Sequence, residues 1–167
     1  PYLESTIRAA TQSGLPVMRA MPLAFPRNAL TRSYETQFMC GEALLVAPIV
    51  QAGGEVEIAL PPGGWYDLNS RRRFGGRQVL RYRAPLDQFP VFGREGYALP
   101  LGRAVQHTGE IDGEHPLEQL WVFGKPSTPL DLPQVRLTIG EGGEPALAVS
   151  HGVQVQFFGD ELPVGTL

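Results

Sequence analysis

The stretch "GWYDLN" puts two aromatic residues, Trp65 and Tyr66, directly before an acid, Asp67. A pair of carboxyl groups held about 5 to 9.5 Å apart can cleave a glycosidic bond, and adjacent aromatic rings offer broad apolar faces on which a sugar can stack. The chain holds 17 acidic residues, but their spacing singles out no catalytic pair. Asp67 reads as a strand-end residue capping a turn amide, and Asp87 reads the same way. Arg94 and Glu95, neighbours in "FGREG", would point to opposite faces of a strand, so each is expected to pair with another partner. Trp65 and Tyr66 form a carbohydrate platform if exposed; the competing reading puts them in the core.

Other chemistry is sparse. His107, His115 and His151 lie eight and thirty-six residues apart, and neither interval resembles metal-ligand spacing, so no metal site is expected. The single cysteine, Cys40, sits in an apolar context that suits an inert buried thiol better than a nucleophile. Gly140, Gly142 and Gly143 in "GEGGE" match no dinucleotide or phosphate-loop pattern and read as turn residues, and no cofactor is expected. The net charge is -3. Basic residues are dispersed apart from Arg71, Arg72 and Arg73, which read as a solvated turn, so the footprint of a nucleic-acid partner is missing. No apolar run approaches the roughly 20 residues that span a bilayer, and no membrane partner is expected. Pro1 is not an initiator methionine and no secretory leader follows it, which suggests an excised piece whose compartment the sequence does not reveal.

The elements that would position these residues change character along the chain. In "PYLESTIRAATQSGLP" the helical spacing of Leu3, Ile7 and Ala10, with Gly14 and Pro16 as stop signals, predicts a helix over residues 2 to 13. "LPVMRAMPLAF" has the length and apolarity of a buried strand carrying one charge, Arg19. Tyr34 and Phe38, four apart and followed by Gly41, suggest a short helix leading into a strand over Leu44 to Val50. From there the period becomes two, with Val56, Ile58 and Leu60 on one face and Leu80 and Tyr82 on another. Further strands are predicted at "GWYDL", "QFPVF", "EQLWVFG", "QVRLTI" and "GVQVQFF". The proline-rich "GKPSTPLDLP" reads as a linker or edge crossing. The fold class is therefore mainly β, an antiparallel β-sandwich preceded by a short α/β remnant.

Four blocks in this order, "PYLESTIRAATQSGLPVMRAM", "QFMCGEALLVAPIV", "ALPPGGWYDL" and "APLDQFPVFGREGYALPLG", resemble the C-terminal portion of glycoside hydrolase family 31, the α-glucosidases and α-xylosidases. The sequence departs from that pattern at "MRAM", where members commonly show "MRPL", and at Glu35, which precedes Gln37 by two positions rather than one. The resemblance implies that residues 1–43 end a catalytic (β/α)8 barrel, 44–125 form the proximal C-terminal sandwich, and 126–167 begin a distal β-domain. It also implies that both catalytic aspartates lie upstream, because a barrel takes about 250 residues. No catalytic residue is expected in this chain. The implied partners are the remainder of the barrel and an oligosaccharide or α-glycoside substrate. Without its barrel neighbours "LPVMRAMPLAF" is expected to self-associate through apolar surface or to stay disordered, and Arg19 either braces the barrel mouth by a charge-assisted hydrogen bond or forms a buried ion pair. In "PLDQFPVFGREGYALPLG", Phe89, Val91, Tyr97 and Leu99 are the expected core side chains. The alternative function is a non-catalytic carbohydrate-binding sandwich using Trp65 and Tyr66.

Overall fold

A computed structural model describes residues 1–85, 87–111 and 117–167. It divides into two compact units, residues 6–95 and residues 96–167 together with 1–5.

Helix α1 spans Tyr2–Ser13, as the spacing predicts, and stops at Gly14, whose φ of 74° is open to glycine at little cost. The apolar run after it does not make one strand. Only Met18–Ala20 (β1) is extended, and Met21–Ala24 turns into a one-turn helix, α2. Pro22 lies in that first turn, where its fixed φ suits a helix start and its missing N–H cannot serve a sheet. No helix forms at Tyr34 to Gly41 either: Phe38–Cys40 is strand β2. It pairs antiparallel with β1 on one side and with β3, Leu44–Val46, on the other. Two sheet neighbours outweigh the helical spacing of Tyr34 and Phe38.

Strands β4 (Glu55–Leu60), β5 (Gly64–Asp67), β6 (Arg73–Gly75), β7 (Gln78–Arg83) and β8 (Val91–Arg94) complete the first unit. A six-stranded antiparallel sheet runs β1-β2-β3-β8-β5-β6, and β4 pairs with β7 in a separate two-stranded ribbon. Between them lies a core of Met21, Met39, Leu45, Ile58, Leu60, Trp65 and Phe92, which makes this unit a β-sandwich. The expected boundary near residue 43 falls between β2 and β3, which are neighbours in one sheet.

Gln37 joins the layers. Its buried amide donates to the Ala59 carbonyl and accepts from the Ala59 N–H, both at 2.8 Å. The side chain thus stands in for a strand neighbour at β4, whose backbone pairs with β7 on its other side.

The second unit contains β9 (Ala98–Gly102), β10 (Leu117–Phe123), β11 (Leu130–Leu132), β12 (Val135–Ile139), β13 (Pro145–Val149), β14 (Gln154–Phe158) and β15 (Val164–Thr166). Its sheets run β14-β10-β9 and β11-β12-β13-β15, and Leu120, Val122, Val135, Leu137 and Leu147 form the core. Most pairs are antiparallel, but β10 with β14 and β13 with β15 are parallel. The boundary expected near residue 125 falls between β10 and β11, inside this unit. Gly140 and Gly143 make the tight connection between β12 and β13, with the Gly143 N–H bonded to the Gly140 carbonyl at 2.9 Å.

Core assignments in "PLDQFPVFGREGYALPLG" need one correction. Phe89 is 55% exposed and precedes the strand, whereas Phe92 is fully buried. The strand begins at Val91, so the inward phase falls on Phe92 rather than Phe89. Leu99 is buried as expected; Val91 and Tyr97 are half-buried. Leu86 of this stretch lies outside the described residues.

Candidate functional site

All four residues of β5 are buried, and this decides what "GWYDLN" can do. Trp65 is 0% exposed; its indole N–H donates to the Pro61 carbonyl at 2.9 Å and its ring meets Phe25 edge-on at 6.4 Å. Tyr66 is 4% exposed. Neither ring presents a free face, because Trp65 fills the sandwich and Tyr66 is hemmed by its polar neighbours. The platform reading for these two residues therefore lacks the exposure it requires.

Asp67, 2% exposed, closes the turn between β5 and β6. Its carboxylate accepts from the Asn69 N–H at 3.1 Å, the Ser70 N–H at 3.3 Å, the Ser70 hydroxyl at 2.5 Å and the Tyr82 hydroxyl at 3.0 Å. This is the turn-capping role that its position suggests. Burial, ahead of the Asp67 charge, pushes the Tyr82 phenol up.

The second polar cluster lies across β5, β6 and the end of β8. Arg73 clasps Glu95 with two parallel bonds of 2.8 Å, from Nε and Nη2, and the Tyr66 hydroxyl donates to the same carboxylate at 3.4 Å. The Arg73 hydrogen bonds hold the Glu95 carboxyl below the usual glutamate range and raise the Arg73 guanidinium. Burial, then the Glu95 charge, pushes the Tyr66 phenol up. A carboxylate clamped bidentately by arginine is neither a free nucleophile nor a ready proton donor. The cluster is a clasp between strands, and Gly64 makes room for it, since a Cβ there would overlap the Glu95 carboxylate.

The adjacent residues Arg94 and Glu95 do find separate partners: the Arg94 guanidinium lies 5.3 Å from the centre of the Phe25 ring. The Arg71 to Arg73 triplet is not a solvated turn as a whole: it follows the turn after β5, Arg73 begins β6 and belongs to the clasp, and Arg72 lies 5.4 Å over the Phe74 ring.

Because the carboxyl of Glu95 is held below its unfolded value, its contribution to stability is complete above the ordinary glutamate value of 4.5 and is lost as pH falls through the lower folded value. Wild-type melting temperature is therefore expected to drop more steeply than that of Glu95→Gln in this acid range. Parallel curves from scanning calorimetry between pH 6 and pH 3 would overturn that expectation.

The remaining candidates are dispersed. Arg19, 7% exposed, donates from Nε to the Pro16 carbonyl at 3.0 Å and from Nη1 to Glu42 at 3.5 Å. Burial pushes the Cys40 thiol up, away from thiolate chemistry. His107 meets Glu110 at 3.5 Å on the surface, His151 lies in an exposed turn, and His115 is outside the described residues. Asp87 is exposed in a turn. Among the described residues no group of three or more His, Cys, Asp and Glu gathers as metal ligands would.

Two features escape sequence inspection. Gln37 bonds to a residue 22 positions away, which no local pattern signals. Trp121 is the half-exposed tryptophan of the chain, whereas Trp65 is fully buried; the alternation of "EQLWVFG" could have shown that it shares a strand face with Gln119.

The profile of the "Glycosyl hydrolase family 31 C-terminal domain" matches residues 14–99. An isomaltosyltransferase of Sporosarcina globispora is 35% identical over 64% of this chain and 10% of its own length. Human neutral alpha-glucosidase AB is 32% identical over 70% of this chain and 13% of its own. The chain thus spans about a seventh or less of the length of these curated relatives. Among solved structures, the Flavobacterium johnsoniae GH31 dextranase complexed with glucose superposes with a TM-score of 0.67 at 35% identity, over 74% of this chain and 15% of that one. A GH31 alpha-xylosidase from a soil metagenome gives 0.56 at 40% identity, over 58% of this chain and 15% of its own. With more than half its length under the domain profile, a mainly β architecture and relatives of one kind, the chain belongs to glycoside hydrolase family 31 and carries that family's C-terminal domain.

Proposed function

We propose that this chain is the C-terminal accessory region of a retaining α-glycosidase that hydrolyses α-glucosidic or α-xylosidic bonds, and that its task is to order the closing segment of the catalytic barrel. In this reading residues 1–43 end the barrel, the following strands form the proximal sandwich, and residues beyond about 125 lead into distal β-structure. The catalytic aspartates stand on upstream barrel segments, and no residue of this chain attacks or protonates the substrate. The partner of the sandwich is the remainder of the barrel.

The observation that carries this reading is the apolar surface of the first elements. Leu3 and Ile7, one helical turn apart on α1, are 56% and 54% exposed, and Met18 and Leu23 are 62% and 47% exposed. Apolar side chains spaced to share one helix face ordinarily meet a packing partner, and the end of a barrel would supply one. Supporting it, the buried carboxylate Asp67 and the clamped Glu95 are both committed to structural hydrogen bonds.

Two results test the proposal. The purified 167-residue chain is expected to show no hydrolysis of aryl α-glucosides or α-xylosides, and it should self-associate through α1 and β1. Turnover by the pure chain would overturn the assignment of catalysis to upstream segments. A monomer at high concentration, or association that Leu3→Glu and Ile7→Glu leave unchanged, would overturn the docking role of the first elements.

A further inference from the structure

We infer that the loop before β8 and the turn after β5 form an auxiliary binding site for a neutral α-glucan, with Phe89 as the stacking ring and the side-chain amides of Asn69 and Gln88 as its hydroxyl-binding groups. The choice of ligand rests on the α-glycosidase reading; the site itself rests on exposure and on how these two connections are tied together.

Phe89 is 55% exposed, and among the described residues its ring meets no other aromatic ring. The backbone that carries it is nevertheless held on every side. Pro90 is buried, and its carbonyl accepts from the Ala47 N–H at 3.0 Å. The Phe89 carbonyl accepts from Asn69 Nδ2 at 3.1 Å, and the Gln88 N–H closes a turn onto the Pro85 carbonyl at 3.1 Å. The Leu68 N–H, bonded to the Val91 carbonyl at 2.9 Å, carries the β5–β8 pairing past Asp67, and the Asn69 amide carries it one carbonyl further. These bonds do not bury the ring; they fix where an exposed ring stands. A ring so placed loses little freedom when a ligand stacks on it.

The polar groups beside it keep valences for a ligand. Asn69 is exposed, and its Nδ2 serves the Phe89 carbonyl and, at 3.3 Å, the Tyr82 hydroxyl. Its Oδ1 accepts from no group among the described residues. Gln88 is exposed next to the ring and offers two donors and an acceptor. A pyranose presents an apolar C–H face to an aromatic ring and hydroxyls that both donate and accept at its rim. A purely apolar partner would leave both amides unsatisfied, whereas a sugar rim satisfies them.

The test uses the full-length protein that bears this chain, assayed on a polymeric α-glucan, dextran or glycogen, and on an aryl α-glucoside too short to reach a second site. Phe89→Ala, which the fold should tolerate at so exposed a position, is expected to lower kcat/KM for the polymer about tenfold relative to that for the aryl glycoside. Gln88→Ala should shift the same ratio by a smaller factor, and Phe89→Trp, which keeps a stacking face, should hold the wild-type ratio. An unchanged ratio in Phe89→Ala would overturn the inference. Equal losses on both substrates would overturn it too, and would make Phe89 a contact to another part of the polypeptide. If the wild-type protein cleaves neither substrate, it is the glycosidase reading that fails. Wherever the wild-type protein does not cleave both, mobility in a gel containing dextran or glycogen decides the site alone, with a glucose-sized inhibitor present to occupy an active site. Retardation of the wild type that Phe89→Ala relieves supports the site, and mobility that Phe89→Ala leaves unchanged overturns it.

Discussion

Replacing Gln37 by leucine is expected to lower the unfolding free energy by about 2 to 6 kcal/mol, because two buried backbone groups lose their partner and each costs about 1 to 3 kcal/mol when left unsatisfied. The groups are the N–H and C=O of Ala59, which is itself 0% exposed. Leucine conserves much of the volume, so a large effect would come from polarity rather than from a cavity. Gln37→Glu supplies a sharper test. Its carboxylate can accept from the Ala59 N–H but faces the Ala59 carbonyl with no proton to donate. Protonation restores that donor, so the folded-state pKa of the new acid is raised and the variant should recover stability as pH falls. Urea midpoints of both variants at pH 7 and pH 4.5 check this. Wild-type stability in Gln37→Leu, or a Gln37→Glu variant that weakens further in acid, would show that the amide does not bridge the layers.

Trp65→Ala should cost about 3 to 5 kcal/mol, the usual consequence of removing a large buried aromatic side chain. The ring sits in the core with Ile58, Leu60 and Phe92, and its loss also strips the Pro61 carbonyl of its donor. Phe89→Ala, by contrast, is expected to stay within about 0.5 kcal/mol of wild type, as exposed positions generally do. The pair of variants separates two kinds of aromatic residue in one domain. Comparable destabilisation by both, in denaturant titrations, would mean that the strand phase around Pro90 is not the one described.

How much was legible in advance depended on how local the cause was. Helix α1 follows from the spacing of Leu3 and Ile7 and the stop at Gly14, all within one segment. Strands β4, β7, β12 and β14 follow from alternation, which is equally local. The stretch from Pro16 to Val50 was harder. Strands β1, β2 and β3 are three residues each, too short to show a period, and they exist because each lies beside the next in the sheet. Phe89 was misplaced because a loop residue before Pro90 carries no mark of where the strand begins. The polar clasp was half visible: adjacency told that Arg94 and Glu95 would part, but nothing in "GREG" names Arg73, 22 positions away. The prolines and small hydroxyl residues of "GKPSTPLDLP" mark a linker or an edge crossing without saying which, and the chain turns there from β10 to β11, strands of different sheets in the second unit.

That last turn has a consequence for the order in which the molecule can be made. Strand β10 has β9 on one side, already synthesised, and β14 on the other, with Gln119 facing Gln154 and Phe123 facing Phe158. During translation the far edge of β10 stays open until β11, β12 and β13 have emerged, roughly 2 to 7 s at about 5 to 20 residues per second. A parallel partner that arrives last makes the closing step a long-range one, and such steps are slow. A nascent chain halted just after the prolines would expose an unsatisfied strand edge beside Trp121, the kind of edge that recruits chaperones or other copies of itself.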